Sequence, residues 1–305
     1  MAFWLPRRST ADPAETVLER SGDVRLYWWS GVPNLGDAVA RVLVEGLSGR
    51  PVVAVGKRAR RKLIACGSTI HRARRGDIVW GTGTLHAGQV PADARIDVRA
   101  VRGPLTAMVL RRAGIEVPEV YGDPALLLPH VHPIAVPPTR RHRLGVIPHY
   151  QDKDAARALL GDSAGDAAGE SDSAGEVDDR SVVLLDIQGD LATFLETLLA
   201  CDRVIASSLH GVIFAEAYGV PAAEWRITDR AGHDRVRGAA HKFEDYFRGT
   251  GRERPAPLLA DEWRIERAAP PPIVDPALLR SFPLLASEHD PKLSTNGDAP
   301  FDTGP

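Results

Sequence analysis

The chain has 305 residues, enough for two domains of ordinary size or one large α/β domain. Hydrophobic residues make up 44% and charged residues 26%, which is typical of a soluble globular protein with ample material for a core. The formal net charge of −2 argues against a dedicated nucleic-acid-binding protein. The two cysteines, Cys66 and Cys201, are too few for a disulfide framework or a cysteine metal cluster.

The sequence shows neither a targeting segment nor a membrane-spanning one. Residues 1–20 are too polar for a signal peptide, and no apolar run is long enough to cross a bilayer. Two isolated cysteines suit a reducing compartment. We therefore expect a cytoplasmic protein, either free or held at the inner face of the plasma membrane.

Short apolar runs alternate with helical patterns through most of the chain. Such alternation is typical of parallel sheets covered by helices, so an α/β fold is predicted. The expected strands are, in chain order, Val24–Trp29, Val52–Val55, Leu63–Cys66, Ile78–Trp80, Ile96–Val101, Arg143–Ile147, Val182–Leu185, Val204–Ala206 and Ala222–Trp225.

Helices are expected between several of these strands. Pro104–Ala113 begins with proline, which suits the first helical position, and the glycine after it suits a stop. Leu191–Leu199 places its apolar residues on one face. A third helix begins near Asp37 and runs to Leu47. Asp37 is equally suited to cap this helix or to bind an acceptor molecule.

Changes in composition divide the chain into segments. Residues 131–141 lie in a proline-rich stretch and predict a linker between domains of residues 21–130 and 142–286. Residues 161–179 carry seven acidic residues and no basic one, so we expect a disordered insert in the second domain. Residues 1–20 are interpreted as an N-terminal extension and residues 287–305 as a flexible tail.

The most informative segment is Arg203–Pro221. Val204–Ala206 reads as a buried strand, and two serines then offer hydroxyls where a helix running to Tyr218, with Val212 in its body, must begin. His210 would lie in the first helical turn, beside unpaired N–H groups and the positive end of the helix dipole. A histidine there predicts chemistry on a phosphate or carboxylate; a buried histidine that caps its own helix is the alternative.

Other polar residues follow predicted strands, where ligands bind in parallel sheets. Arg102 precedes a helix N-terminus, where the dipole opposes a structural cation, so we expect it to clamp a dianionic ligand. Asp123 before a proline is interpreted as a turn or cap residue, and His149 as either a surface or a site residue. Gly81 and Gly83 permit a tight turn and are weak evidence for a phosphate site.

The stretch Lys57–Arg75 holds eight Lys or Arg residues and no acid. A solvated surface is the first interpretation of such a run. The alternative is an electrostatic patch, centred on Arg58, Arg60, Arg61 and Lys62, for a polyanionic acceptor or an anionic membrane face.

In their order along the chain, these segments resemble the bacterial polysaccharide pyruvyltransferase family, and its exopolysaccharide ketal-pyruvate transferase branch in particular. The matching segments are Asn34-Leu-Gly-Asp37, Gly81-Thr-Gly83, Val101-Arg-Gly-Pro-Leu-Thr106, Tyr121-Gly-Asp-Pro124, Ile147-Pro-His149, Ser208-Leu-His-Gly211 and Lys242-Phe-Glu-Asp-Tyr246. The resemblance implies two Rossmann-like domains facing across a cleft, as in GT-B glycosyltransferases. It also implies transfer of the pyruvate unit of phosphoenolpyruvate to two hydroxyls of a glycan sugar, which forms a cyclic ketal and releases phosphate.

The resemblance implies roles for particular residues, with phosphoenolpyruvate as co-substrate and without a further cofactor or a metal. His210 is the candidate general acid, or the donor to the departing phosphate, and Asp37 or His149 is the base. Donor-binding residues would be Arg102, Ser207, Ser208, Leu209, His210 and Gly211. Residues in contact with the acceptor, a free or lipid-linked sugar, would be Asn34, Asp37, Thr82 and His86. Some family members carry Arg at the position of Ser208. Because this chain has serine there, Arg102 and other cations would have to compensate the negative charge of the donor.

Two alternatives remain at this stage. A GT-B-like glycosyltransferase would bind the diphosphate of a nucleotide sugar at the same helix N-terminus, with Glu216 or Glu224 on the donor ribose. A non-catalytic protein that binds anionic glycans would keep the fold without turnover, although intact Arg102 and His210 count against it.

Overall fold

The computed structural model describes residues 17–135, 140–161, 164–166, 182–266 and 271–284. Within these residues all pairings between the strands named below are parallel. The predicted α/β class is therefore confirmed. The arrangement as two domains facing across a cleft, with the predicted domain boundaries, stays a prediction.

The first sheet is built from the N-terminal half of the chain. Its strands are β1 (Val24–Tyr27), β2 (Val52–Ala54), β3 (Leu63–Ala65), β4 (Ile78–Trp80) and β5 (Asp97–Ala100). They lie in the order β2-β1-β3-β4-β5. Both β3 and β4 are buried along their whole length, as expected for strands covered on two faces.

The second sheet is built from the C-terminal half. Its strands are β6 (Leu144–Ile147), β7 (Ala164–Asp166), β8 (Val182–Leu184), β9 (Val204–Ala206), β10 (Ala222–Arg226) and β11 (Leu258–Leu259). They lie in the order β11-β10-β9-β6-β8-β7. Apart from the added edge strand β7, this sheet repeats the order of the first sheet. In the first sheet β2 lies on one side of β1, and β3, β4 and β5 follow on the other side; β8, β6, β9, β10 and β11 are arranged in the same way.

Helices connect the strands in both halves. They are α1 (Leu35–Ser48), α2 (Pro104–Arg112), α3 (Leu128–Val131), α4 (Lys153–Leu160), α5 (Leu191–Leu199), α6 (Leu209–Ala217), α7 (Ala239–Gly249) and α8 (Pro276–Arg280), with short 3₁₀ helices at Ile70–Arg72 and Pro124–Leu127. Asn34 caps α1, because its Oδ1 accepts a hydrogen bond of 2.9 Å from the Gly36 N–H.

The repeated strand order places a topological switch point in each sheet. The chain leaves β1 in one direction and β3 in the other, and it does the same at β6 and β9. Ligands of doubly wound sheets bind beyond the carboxyl ends of the strands at such a point. The sequence segments after β1, β3, β6 and β9 are therefore the first place to look for a site.

One large apolar cluster joins the two halves. It includes Leu43 and Leu63 from the first half and Leu195 and Phe214 from the second, all buried. The 3₁₀ helix Pro124–Leu127 packs between α1 and α6 and contributes to this cluster. Burial of shared apolar area thus fixes the two sheets relative to each other.

The sequence predicts these elements well where the apolar pattern is strong. All nine predicted strands are present, and the predicted helix Leu191–Leu199 matches α5 at both ends. The predicted insert 161–179 contains β7, which pairs with β8, so that three of its residues are ordered by backbone hydrogen bonds. Most of that insert, residues 1–16 and residues 285–305 lie outside the described residues.

The basic stretch is corrected at one residue. Lys62 is fully buried and forms an ion pair with the equally buried Asp77, so it cannot belong to a surface patch. The side chains of Lys57, Arg58, Arg60, Arg61 and Arg75 are exposed and fit the predicted solvated surface. Asp77 lies two residues beyond the end of the stretch. The ion pair was therefore not apparent from the stretch itself, which contains no acidic residue.

Removal of Lys62 is expected to destabilise the fold. Lys62→Met leaves the Asp77 carboxylate buried without its partner, which costs about 3–5 kcal/mol. Urea denaturation measures the change in the free energy of unfolding, and the double variant Lys62→Met/Asp77→Leu should recover most of it. Arg41→Ala, which breaks an exposed pair with Glu45, is the control and should cost less than about 1 kcal/mol. A single variant as stable as the native protein would contradict this account.

Candidate active site

The first turns of α1 and α6 touch at the switch points of the two sheets. Gly36, in α1, lies so close to the ring of His210, in α6, that any side chain at position 36 would collide with it. α1 follows β1 and α6 follows β9. Residues from both sheets therefore meet at one place, at the carboxyl ends of their strands.

His210 faces a buried carboxylate. Its Nε2 lies 3.6 Å from Oδ2 of Asp123, and within the described chain neither atom has a hydrogen-bond partner. The other oxygen of Asp123 accepts a hydrogen bond of 3.0 Å from the Ala125 N–H and so caps the 3₁₀ helix. The predicted capping role of Asp123 is confirmed, and its second oxygen lies beside the imidazole of His210.

Burial sets the protonation of this pair. It lowers the pKa of His210 to about 3, and the nearby cations Lys242 and Arg102 act in the same direction. Burial also raises the pKa of Asp123 to about 6, although the Ala125 N–H and Arg102 oppose the rise. At neutral pH the imidazole is therefore neutral and the carboxylate is ionised.

The N-terminus of α6 is open to an anion. Ser208 occupies the cap position in an extended conformation, but its hydroxyl makes no capping hydrogen bond. In the described structure the N–H groups of Leu209 and His210 also have no acceptor, whereas those of Gly211 and Val212 bond to the Ser208 carbonyl. Two free N–H groups and the positive end of the helix dipole remain for a ligand, as the sequence predicts.

Asp37 lies in the first turn of α1, where Asn34 is the cap, so the predicted alternative of a capping Asp37 is wrong. A side chain on Gly67, which follows β3, would come within 2.6 Å of Oδ1 of Asp37. Burial raises the pKa of this carboxyl to about 7; Lys242 opposes the rise and Asp123 adds to it. A carboxyl that titrates near neutral pH can accept and release a proton during a reaction.

His149 follows β6, beside the strand that leads to His210. Its backbone N–H donates to the Ser207 hydroxyl at 3.0 Å, and its Nδ1 accepts from the Gln151 N–H at 3.3 Å. Burial and Lys242 lower the pKa of the ring to about 3. The neutral ring then carries its proton on Nε2, which makes His149 a hydrogen-bond donor to a ligand.

Lys242, in α7, is the residue that sequence reasoning missed. Its charge shifts the pKa of Asp37, His149 and His210, so it lies among them. Burial and Arg102 lower the pKa of its own ammonium group to about 8. Among the described residues the ammonium group of Lys242 forms neither a hydrogen bond nor an ion pair. The one signal in the sequence was the segment Lys242–Tyr246, which was read as a motif without a role for its lysine.

Arg102 has several partners within the protein. The side chain is 1% exposed, and its guanidinium donates to the Ser68 hydroxyl at 2.8 Å and to the Thr84 carbonyl at 2.7 Å. It also forms a 2.9 Å ion pair with Asp245. Its Nε is buried and, within the described residues, has no hydrogen-bond partner, so direct contact of Arg102 with a ligand stays a prediction.

The predicted acceptor residues divide into two groups. Thr82 is corrected, because its hydroxyl is fully buried, donates to the Gly67 carbonyl and accepts from the Thr69 N–H. The Oδ1 of Asn34 is used by the α1 cap. His86 is exposed and Asp37 half-buried, so these two remain available to an acceptor. Ser207 is held by its bond to the His149 backbone.

Comparison with known proteins agrees with this geometry. Residues 34–223 match the family model described as polysaccharide pyruvyl transferase. The chain belongs to the polysaccharide pyruvyl transferase family. The matched span holds Asp37, Asp123, His149 and His210, whereas Lys242 lies beyond its end.

One protein with a similar sequence comes from a virus. An uncharacterized protein of Acanthamoeba polyphaga mimivirus is 30% identical over 191 residues, which are 62% of this chain and 60% of the viral protein. The chain thus matches less than two thirds of that relative's length. Across the described ranges of the chain, no helix combines the length and the apolar character that a membrane span requires.

The raised pKa of Asp37 predicts a pH-dependent gain in stability for Asp37→Asn. In the folded protein the Asp37 carboxyl keeps its proton up to pH of about 7, whereas in the unfolded chain it releases the proton near its ordinary pKa of 3.8. The stability of the native protein therefore falls between pH of about 4 and 7, and the full loss is present above pH of about 7. Urea denaturation should show the variant about 2 kcal/mol more stable than the native protein at pH 8, with no difference below pH of about 4.

The surface variant Asp261→Asn is the control and should show no such trend. A variant that is less stable than the native protein at pH 8 would contradict the burial of an uncompensated charge at Asp37.

Proposed function

We propose that this protein transfers the pyruvate unit of phosphoenolpyruvate to two hydroxyls of a glycan sugar, which forms a cyclic ketal and releases phosphate. Membership in the polysaccharide pyruvyl transferase family supports pyruvate transfer to a glycan. The observation that carries the choice of donor is the open N-terminus of α6, with unpaired His210 beside it and the unpaired cation Lys242 near it. Such a site suits a small, multiply charged anion.

Phosphoenolpyruvate carries a carboxylate and a phosphate, and the site offers matching groups. The N–H groups of Leu209 and His210 and the dipole of α6 would hold one anionic group. Lys242 would pair with the other. In this chain Ser208 stands where some family members carry Arg, and Lys242 supplies the missing charge from a different helix.

Binding of the donor would also charge His210. Burial lowers the pKa of the ring, and the cations Lys242 and Arg102 lower it as well. A ligand with about three negative charges offsets both of them and raises the pKa of the imidazole toward its ordinary value. Asp123, whose Oδ2 lies 3.6 Å from Nε2, would then pair with the charged ring. His210 becomes a general acid only when the donor is present.

The reaction can be written with these residues. His210 donates a proton to the methylene carbon of phosphoenolpyruvate, and the C2 carbon becomes an oxocarbenium-like centre. A sugar hydroxyl forms a bond to C2 and loses its proton to Asp37. The bond between C2 and the phosphate oxygen then breaks. A second hydroxyl of the same sugar forms the second C2–O bond, and its proton leaves on the phosphate.

Asp37 is the better candidate for the base. Nδ1 of His149 is already an acceptor for the Gln151 N–H, and its neutral ring has no second lone pair to offer. The carboxylate of Asp37 makes no hydrogen bond within the described chain, and its pKa of about 7 suits both uptake and release of a proton. His149 would instead donate its Nε2–H to the carboxylate or phosphate of the donor.

The glycosyltransferase alternative loses its two candidate ribose ligands. Both oxygens of Glu216 bond to Arg252, at 2.9 and 2.8 Å, and the carboxylate also accepts from Tyr246. Glu224 bonds to Arg254 at 2.8 and 2.5 Å. Both carboxylates are buried in these pairs, so neither is free to bind the hydroxyls of a ribose.

Removal of the candidate acid should reduce turnover. His210→Ala is expected to lower phosphate release from phosphoenolpyruvate, measured over a panel of glycan acceptors, by about 10²–10⁴-fold. His233→Ala is a matched control, because His233 lies 3.6 Å from Asp229 but is exposed. Unchanged turnover in folded His210→Ala would remove His210 from the mechanism.

Calorimetry tests the identity of the donor separately. Phosphoenolpyruvate should bind saturably, whereas UDP- and GDP-sugars should give no heat. Lys242→Met is expected to weaken phosphoenolpyruvate binding at least tenfold, or about 1.4 kcal/mol, and Lys242→Arg should keep most of it. The exposed Lys57→Met serves as control. Equal affinity in Lys242→Met would show that the donor charge is met elsewhere, and heat from a nucleotide sugar alone would overturn the proposed function.

A further inference from the structure

Three histidines surround the loop of residues 84–89, which follows β4. Oε1 of Gln89 accepts a hydrogen bond of 2.5 Å from the Leu85 N–H, and its amide nitrogen lies 2.6 Å from Nδ1 of His71. Nε2 of His241 lies 2.8 Å from the Thr84 hydroxyl. His86 lies in the loop itself and shifts the pKa of both other rings. We name His71, His86 and His241 the three-histidine cluster.

The hydrogen bonds assign the protons of two rings. Because Oε1 of Gln89 is an acceptor, its amide nitrogen faces His71 and can only donate, so Nδ1 of His71 accepts. Nδ1 of His86 likewise accepts from the Gly88 N–H at 3.2 Å. In their neutral forms both rings therefore carry the proton on Nε2. His71 and His86 each present one N–H donor.

A chain of hydroxyls assigns the third ring. The Thr106 hydroxyl donates to Asp245 at 2.6 Å, and the Thr84 hydroxyl lies 3.2 Å from the Thr106 oxygen. With its proton committed to Asp245, Thr106 accepts from the Thr84 hydroxyl. The Thr84 oxygen then accepts from Nε2 of His241, which leaves the lone pair of Nδ1 for a ligand.

Positive charge collects around the cluster. Burial, Arg72 and His86 together lower the pKa of His71 to about 4. Burial also lowers the pKa of His241, with Arg102 and His86 acting in the same direction. The acid that acts on His241 is Asp245, which is already paired with Arg102. Nε of Arg72 is buried and, within the described residues, lacks a partner.

The cluster adjoins the candidate active site. The Thr84 carbonyl accepts from Arg102, and the charge of Arg102 acts on both His210 and Lys242. His241 and Lys242 are consecutive residues of α7. Among the described residues no group of His, Cys, Asp and Glu side chains is arranged to hold a metal ion. The N–H donors and the positive charge of the cluster therefore lie beside the candidate active site.

We propose that the three-histidine cluster and Arg72 bind an anionic group of the acceptor, so that the glycan that receives pyruvate carries a carboxylate or a phosphate on or next to the reacting sugar. This inference rests on the proposed function. The N–H groups of His71 and His86 and the guanidinium of Arg72 contact the anionic oxygens, and Nδ1 of His241 accepts a sugar hydroxyl. A neutral sugar would leave these donors without acceptors, which disfavours it.

Calorimetry with three sugars of similar size tests the proposal. The probes are a glucuronic acid–glucose disaccharide, glucose 1-phosphate and neutral cellobiose. At least one anionic probe should bind at least tenfold more tightly than cellobiose, and the tighter of the two identifies the anionic group as carboxylate or phosphate. Equal binding of all three probes would overturn the proposal.

Variants locate the binding. His71→Asn/His86→Asn should lose the tenfold preference while its affinity for phosphoenolpyruvate stays within twofold of the native value. The exposed His86→Asn, expected to lose about threefold, covers the case in which the double variant does not fold, and His233→Asn is the control. A preference retained in both variants, or lost in Lys242→Met instead, would place the anion at the donor site and overturn the proposal.

The two proposals fail in different ways. Absence of phosphoenolpyruvate binding in the native protein would remove the proposed donor and leave the comparison among the three sugars unaffected. Saturable phosphoenolpyruvate binding with no preference for an anionic sugar would keep the proposed function and remove only the acidic acceptor.

Discussion

The close approach of α1 and α6 at Gly36 is the constraint on which the candidate site depends. The ring of His210 rests where a side chain at position 36 would stand, so the two helices can meet only because this residue is glycine. α1 starts at the switch point of the first sheet and α6 at that of the second. This contact converts two separate switch points into one site, with Asp37 from one sheet and His149 and His210 from the other.

Burial gives this site its electrostatic character. It raises the pKa of the Asp37 and Asp123 carboxyls and lowers the pKa of His149, His210 and Lys242. Each shift disfavours the charged form of its group, so the charges of these groups destabilise the site. A trianionic ligand would favour the charged forms of the two histidines and the lysine and so raise their pKa values. Affinity and the protonation of His210 are then two results of the same interaction.

Local patterns allowed much of the fold and part of the site to be predicted. The strands and α5 follow from apolar runs and a helical stripe, and Asp37, His149 and His210 follow from their positions after strands. The partners of Arg102 and Thr82 could not be predicted, because they are set by tertiary packing. Asp245, which neutralises Arg102, is remote in sequence and comes from α7. Nothing local to Lys242 indicates that α7 brings it to the site.

The same helix explains how the chain functions with Ser208 at a position where some relatives carry Arg. An arginine at the cap of α6 would lie beside the free N–H groups, where the helix dipole opposes it. Lys242 approaches the same ligand space from α7, where Asp37 and Asp152 favour its charged form. α7 also carries Asp245, which holds Arg102, and His241, which the Thr84 hydroxyl orients. One helix of the second half thus carries the lysine, the aspartate and the histidine whose charges and hydrogen bonds act on the candidate site.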